Sequence, residues 1–133
     1  MKNIYGFSDS YSLETEILAA AVPSQPAAAI TSISGVNVVI DWNTPLENGA
    51  AITSYIIEIL DYTGAWQQDS TYCDGADPTV ISSTSCEIPL LTLIDSEDNF
   101  KLGVADLVVA RITAINVIGQ SLVSDSNIDG AYI

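Results

Sequence analysis

The sequence has 133 residues, which is enough for one domain with a short excess. It carries 17 acidic residues against three basic ones, has a net charge of −14 and contains no histidine, so nucleic-acid binding and imidazole-based catalysis are excluded. Because 48% of the residues are hydrophobic, the chain is predicted to fold around a core rather than to form a disordered acidic tail. No apolar run is long enough for a transmembrane helix, and no secretory signal pattern is visible.

Short strand-like segments alternate with turn signals after a stiff leading stretch that contains Pro23 and Pro26. The predicted strands span residues 28–34, 36–42, 52–60, 65–72, 84–90, 107–115 and 121–127. Their alternating apolar residues predict core-facing positions at Val36, Val38, Ile40, Trp42, Tyr55, Ile57, Ile59, Val108, Ala110, Ile112 and Ala114. A helical alternative exists only within residues 90–101. This spacing predicts an all-β sandwich of two sheets.

An ordered set of motifs carries a family resemblance. A strand that ends in Trp42 is followed by Pro45, then by an Asn-Gly turn, an alternating strand around Tyr55, and an Asn-x-x-Gly-x-Ser motif at residues 116–121. In this order they make residues 26–126 resemble a fibronectin type III domain. The resemblance implies a seven-stranded, immunoglobulin-like sandwich of two antiparallel sheets. One departure is Val108, which stands where the family has a tyrosine, so the usual corner hydrogen bond must be missing or replaced.

The N-terminal residues repeat the end of the resemblance, because residues 3–8 also read Asn-x-x-Gly-x-Ser. We therefore divide the chain into residues 1–21, the last strand of a preceding repeat or a strand donated to another copy, and residues 22–133, the type III domain with this extra strand in front. An arbitrary boundary and chance similarity remain alternatives. The predicted assembly strand includes Asn3, Ile4, Tyr5, Gly6, Phe7, Tyr11, Leu13 and Ile17.

The two cysteines, Cys73 and Cys86, predict a disulfide between a loop and the fifth strand. In the chain-entropy model it would contribute about 3 kcal/mol, and it would imply an oxidising compartment. The alternative is two buried free thiols.

Two further groups of residues are candidates for binding. Trp66, with Tyr62 and Tyr72 near it in sequence, could stack on a ligand or pack across strands. The carboxylates cluster at Asp74 and Asp77, at Asp95, Glu97 and Asp98, and at Asp125 and Asp129. They suggest either weakly bound calcium or a solvated surface. We predict no other cofactor, no metal site and no catalytic residue.

Together these features predict a non-enzymatic structural repeat of an extracellular fibre or large surface protein. Its expected partners are copies of itself or neighbouring type III repeats, joined head to tail by tandem linkage or by N-terminal strand addition. Nucleic acid and direct membrane insertion are not expected. The alternative is an adhesion module that binds protein or carbohydrate through its loops and edge aromatic residues.

Overall fold

Alternating apolar residues form strands that pack face to face as two antiparallel sheets. The computed structural model describes residues 20–95 and 100–133. The strands in this part are β1 (Ile30–Ser34), β2 (Asn37–Asp41), β3 (Ile52–Leu60), β4 (Trp66–Gln67), β5 (Ser85–Pro89) and β6 (Ala110–Asn116). Two short helices, α1 (Pro78–Ser83) and α2 (Leu90–Ile94), flank β5. The sheet orders are β1–β2–β5 and β4–β3–β6, which confirms the predicted all-β sandwich.

The core lies between the inward faces of the two sheets, and the predicted strand faces are confirmed with one exception. Trp42 packs edge-on against Tyr55 across the interior, with ring centroids 5.3 Å apart. Ile40, Ile59 and Ile112 are fully buried. The exception is Val36, which is 76% exposed because the chain reverses direction there, at the β1–β2 turn. No helix among residues 20–95 and 100–133 is long and apolar enough to span a bilayer.

The region between β4 and β5 differs from the prediction. The expected strand at 65–72 is limited to Trp66–Gln67, because the Asp69 carboxylate accepts the backbone N–H groups of Thr71 and Tyr72 and so forms a turn. Helix α1 was not predicted, although Asp77 caps it and Pro78 begins it. Helix α2 lies in the region where a helical alternative was expected.

The predicted last strand at 121–127 is not a regular strand. Three side chains in this closing segment, residues 120–127, accept hydrogen bonds from backbone N–H groups of β6. Ser121 accepts from Ala114 at 3.0 Å, Ser124 from Ile112 at 2.8 Å, and Asn127 from Ala110 at 2.8 Å. The spacing of three residues is the period of a polyproline II helix, whereas a strand has a period of two. The backbone N–H groups of Ser121 and Ser124 also donate to the Ala114 and Ile112 carbonyls, each at 2.8 Å. The segment thus occupies the place of the seventh strand, and side chains replace part of the backbone ladder.

At the corner where the family has a tyrosine, other groups make the hydrogen bonds. Val108 is fully buried, and its carbonyl accepts hydrogen bonds from Thr31 Oγ1 at 3.1 Å and Asn127 Nδ2 at 3.0 Å. Thr31 Oγ1 also accepts the backbone N–H of Ala131 at 2.9 Å. One buried hydroxyl therefore ties β1 to the residue pair just before β6 and to the C-terminal residues.

Candidate functional site

Trp66 lies on the outer face of the β4–β3–β6 sheet and is half-buried. The Arg111 guanidinium carbon is 4.2 Å from the centre of its ring, and Arg111 Nε donates to Glu58 Oε1 at 2.8 Å. The ring is thus packed across strands by a cation–π contact. A role of Trp66 in ligand contact stays a prediction.

The other two candidate aromatic residues lie elsewhere. Tyr62 is 60% exposed on the turn after β3, with Lys101 Nζ 5.5 Å from its ring centre, and lines a cavity of about 300 Å³. Tyr72 is 46% exposed and lines a different cavity of about 380 Å³. The structure therefore does not bring the three aromatic residues into one site.

Asp61, at the end of β3, is a buried carboxylate that sequence reasoning missed. Its Oδ1 accepts hydrogen bonds from Thr63 Oγ1 at 2.6 Å, Thr63 N–H at 2.8 Å and Ala65 N–H at 3.0 Å, and its Oδ2 accepts from Gln67 Nε2 at 3.0 Å. The hydrogen bond from the Thr63 hydroxyl is the largest cause that lowers the pKa of Asp61 from 3.8 to about 2, while burial opposes the shift. Because these donors come from the turn and from Gln67 of β4, Asp61 holds the turn against β4. The Asp-x-Thr-Gly sequence of that turn was an available signal.

The predicted disulfide between Cys73 and Cys86 is present, with Cα atoms 5.3 Å apart. Cys86 lies on β5 and Cys73 ends the turn that Asp69 holds, so the bond joins a loop beside β3 to the opposite sheet. Two residues later, the Gly75 carbonyl accepts the Tyr55 N–H of β3 at 2.9 Å. The loop approaches so closely that a Cβ at Gly75 would overlap the Tyr55 carbonyl oxygen.

Two of the carboxylates expected to attract calcium accept hydrogen bonds from nearby backbone groups. Asp74 accepts the Ala76 N–H at 3.0 Å, and Asp77 accepts the Thr79 N–H at 2.8 Å. In the described part of the chain, no group of three or more cysteine or acidic side chains is arranged to hold a metal ion. Glu97 and Asp98 lie outside that part. Calcium binding stays a prediction.

Residues 20–26, the leading segment, are fixed to two loops at one end of the sandwich. Ala21 N–H donates to the Asn48 carbonyl at 2.9 Å, and Asn48 Nδ2 donates back to the Val22 carbonyl at 2.9 Å. Asn116 Nδ2 donates to the Ala21 carbonyl at 2.8 Å. The chain therefore enters the domain along a defined path.

The predicted assembly strand lies outside the described residues. This applies to all of its members, Asn3, Ile4, Tyr5, Gly6, Phe7, Tyr11, Leu13 and Ile17. Its pairing stays a prediction.

Comparison with known proteins rests on structure, since no family model and no curated protein matches the sequence. The sixth fibronectin type III domain of human fibronectin type III domain containing protein 3 is 22% identical, with a TM-score of 0.53 over 82% of this chain and 85% of that one. Domains FN1–FN3 of chicken CNTN1 are 18% identical, with a TM-score of 0.51 over 78% of this chain and 31% of theirs. This chain has the fibronectin type III fold.

The same fold relates the chain to parts of two larger chains. A titin chain with the kinase and its flanking domains is 21% identical, with a TM-score of 0.55 over 85% of this chain. The chain spans 18% of that titin chain and 16% of a twitchin kinase-region chain from C. elegans. At these identities the fibronectin type III fold is what is shared.

Proposed function

We propose that this chain is a non-enzymatic structural module of an extracellular fibre or large surface protein, linked head to tail to copies of itself or to neighbouring type III repeats. The observation that carries the proposal is the fixed leading segment. A module that transmits orientation or tension along a fibre needs a defined angle where the chain enters. The hydrogen bonds between residues 20–26 and the loop that contains Asn48 would supply that angle.

The extracellular location is supported by the disulfide. Disulfides persist in oxidising compartments and are rare in the cytosol. Cys73 and Cys86 are both buried, 3% and 6% exposed, and small sandwich domains gain stability from such a cross-link.

A non-enzymatic role is supported by the positions of the polar groups. The chain has no histidine. The carboxylates Asp61, Asp74 and Asp77 accept hydrogen bonds from their own turns, which fixes them as structural groups. An adhesion module is the second candidate, and the polar cavity beside Tyr72 favours it.

The proposal can be tested with a polypeptide in which two full chains are joined end to end. X-ray scattering should fit one narrow distribution of overall dimensions if the leading segment fixes the angle between modules. Asn48→Gly is the matched variant: Asn48 has a φ of 56°, which glycine tolerates, but the change removes the side-chain hydrogen bonds to Val22 and Ser24. The variant should broaden the distribution, and an equally broad distribution in both proteins would contradict the proposal.

A further inference from the structure

A polar cavity of about 380 Å³ lies between the turn at residues 68–72 and helix α2. Its walls are residues 68–72, Thr92 of α2 and the buried ring residue Phe100. The volume is within the range of small-molecule sites, roughly 300–1,000 Å³. The cavity is separate from Trp66 and from the cavity beside Tyr62.

The cavity wall has many polar groups that the fold does not use. Gln68, Ser70, Thr71, Tyr72 and Thr92 contribute one amide and four hydroxyls, and within the described residues none of these side-chain groups makes a hydrogen bond to the protein. By contrast, the turn at Asp61 uses both oxygens of its carboxylate. Several unpaired donors and acceptors around one cavity form a wall suited to a ligand that both donates and accepts hydrogen bonds.

The turn that carries these groups is held in place before any ligand arrives. Asp69 Oδ1 accepts the N–H groups of Thr71 and Tyr72 at 2.8 and 3.1 Å, and the Asp69 carbonyl accepts the Cys73 N–H at 3.0 Å. Cys73 is then joined to Cys86. A preorganised loop loses little conformational entropy on binding, so even a few hydrogen bonds would give measurable affinity.

The chemistry of the wall selects the class of ligand. Asp69 and the net charge of −14 disfavour anions, and no lysine or arginine lines the cavity. Tyr72 offers a 46% exposed aromatic ring beside the hydroxyls. Neutral sugars present apolar C–H faces for stacking on an aromatic ring, and their hydroxyls act as both donors and acceptors.

We propose that the cavity formed by residues 68–72, Thr92 and Phe100 is a binding site for a neutral saccharide. Tyr72 supplies the stacking surface, the free oxygen of Asp69 accepts from sugar hydroxyls, and Gln68 and Thr92 complete the hydrogen bonding. The site would let a structural module attach to a glycan without any change in how modules are linked.

The test uses the ¹⁵N-labelled full chain titrated with the methyl glycosides of glucose, galactose, mannose and N-acetylglucosamine. We expect saturable shifts of the amide signals of residues 68–72 with at least one glycoside. Tyr72→Ala should weaken binding about tenfold or more, which corresponds to the loss of one well-packed ring. Tyr72→Phe should retain most of the affinity that stacking provides.

Two controls keep the result interpretable if Tyr72→Ala perturbs the turn. Thr92→Val replaces a hydroxyl on α2 with a methyl group of similar size and should also weaken binding, whereas Tyr62→Ala removes an exposed aromatic ring outside the cavity and should not. The proposal is overturned if none of the glycosides shifts the cavity signals, or if the shifts are spread over the surface. It is also overturned if Thr92→Val binds the glycosides as the unchanged chain does, or if calcium chloride alone shifts these signals. None of these outcomes affects the tandem scattering experiment, so the two proposals can fail separately.

Discussion

The two flanks of the β4–β3–β6 sheet are closed by different physical means. Beside β6, the closing segment is held by neutral backbone and side-chain hydrogen bonds spread over several residues, with Thr31 behind them. Beside β3, beyond the short β4, a loop is held by one covalent bond and by the close approach of Gly75 to Tyr55. On the β6 side the stabilising contacts are spread over several residues, whereas on the β3 side they depend on the disulfide and on Gly75. Single substitutions should therefore cost most on the disulfide flank.

The largest effect is expected from Gly75→Ala. The new Cβ would overlap the Tyr55 carbonyl, so the loop must move and the Tyr55 N–H loses its acceptor. We expect a loss of about 3–5 kcal/mol in the free energy of unfolding, measured by urea denaturation. Gly103→Ala is the matched control, because its Cβ would meet only Asp106 Oδ2 at an ordinary 3.6 Å. If both variants unfold at the same urea concentration, the stability of this flank does not depend on the close approach of Gly75.

Removal of the cross-link is expected to have the next largest effect. A variant with Cys73→Ala and Cys86→Ala should be about 2–4 kcal/mol less stable, because the unfolded chain regains the entropy of the open loop. A reducing agent should lower the stability of the unchanged chain by a similar amount and leave the variant unaffected. If reduction changes neither protein, the disulfide does not stabilise this flank.

On the opposite flank, Thr31→Val should cost about 1–3 kcal/mol. The substitution leaves the buried Ala131 N–H without an acceptor and removes the hydroxyl that donates to the Val108 carbonyl. Hydrogen exchange should show faster exchange of the Ala131 amide. Thr31→Ser keeps the hydroxyl and serves as the control, so equal exchange rates in the two variants would show that the hydroxyl is not what ties β1 to the C-terminal residues.

The smallest expected effect is a difference between the two flanks in how the cost of a substitution depends on pH. The pKa of Asp61 is lowered to about 2 in the folded chain, so its contribution to stability is present above about pH 4 and is lost as the pH falls towards 2. The difference in Tm between the unchanged chain and Asp61→Asn should therefore shrink on acidification from pH 5 to pH 2. The difference for Thr31→Val should stay constant, because hydroxyl and amide groups do not titrate there. A constant difference for Asp61→Asn would contradict the assignment.

Much of the architecture could be predicted from the sequence because burial imposes a simple period. Along β3, the buried residues Tyr55, Ile57 and Ile59 alternate with half-buried ones, and a strand with one buried face requires that alternation. The pairing of Cys73 with Cys86 was also predictable, because the chain contains only two cysteines.

The irregular segments could not be predicted in the same way. Ser121, Ser124 and Asn127 recur every three residues, a pattern that an analysis of strand periods does not detect. Helix α1 had a detectable signal in Asp77-Pro78, but its six residues carry no clear apolar period. The separation of Tyr62 from Tyr72 depends on how the turns fold back, and sequence proximity does not determine that.

The closing segment also limits how such domains can aggregate. The carbonyls of Leu122 and Asp125 accept hydrogen bonds from the neighbouring Ser121 and Ser124 hydroxyls, and the Val123 carbonyl accepts from Gln25 Nε2. A foreign strand that arrived at this edge would meet acceptors already in use, and it would face a backbone whose period does not match its own. Amyloid-like growth by sheet extension is thus disfavoured on this side. At high local concentration, the side chains of Gln25, Ser121 and Ser124 would protect the chain on this side, in addition to its charge.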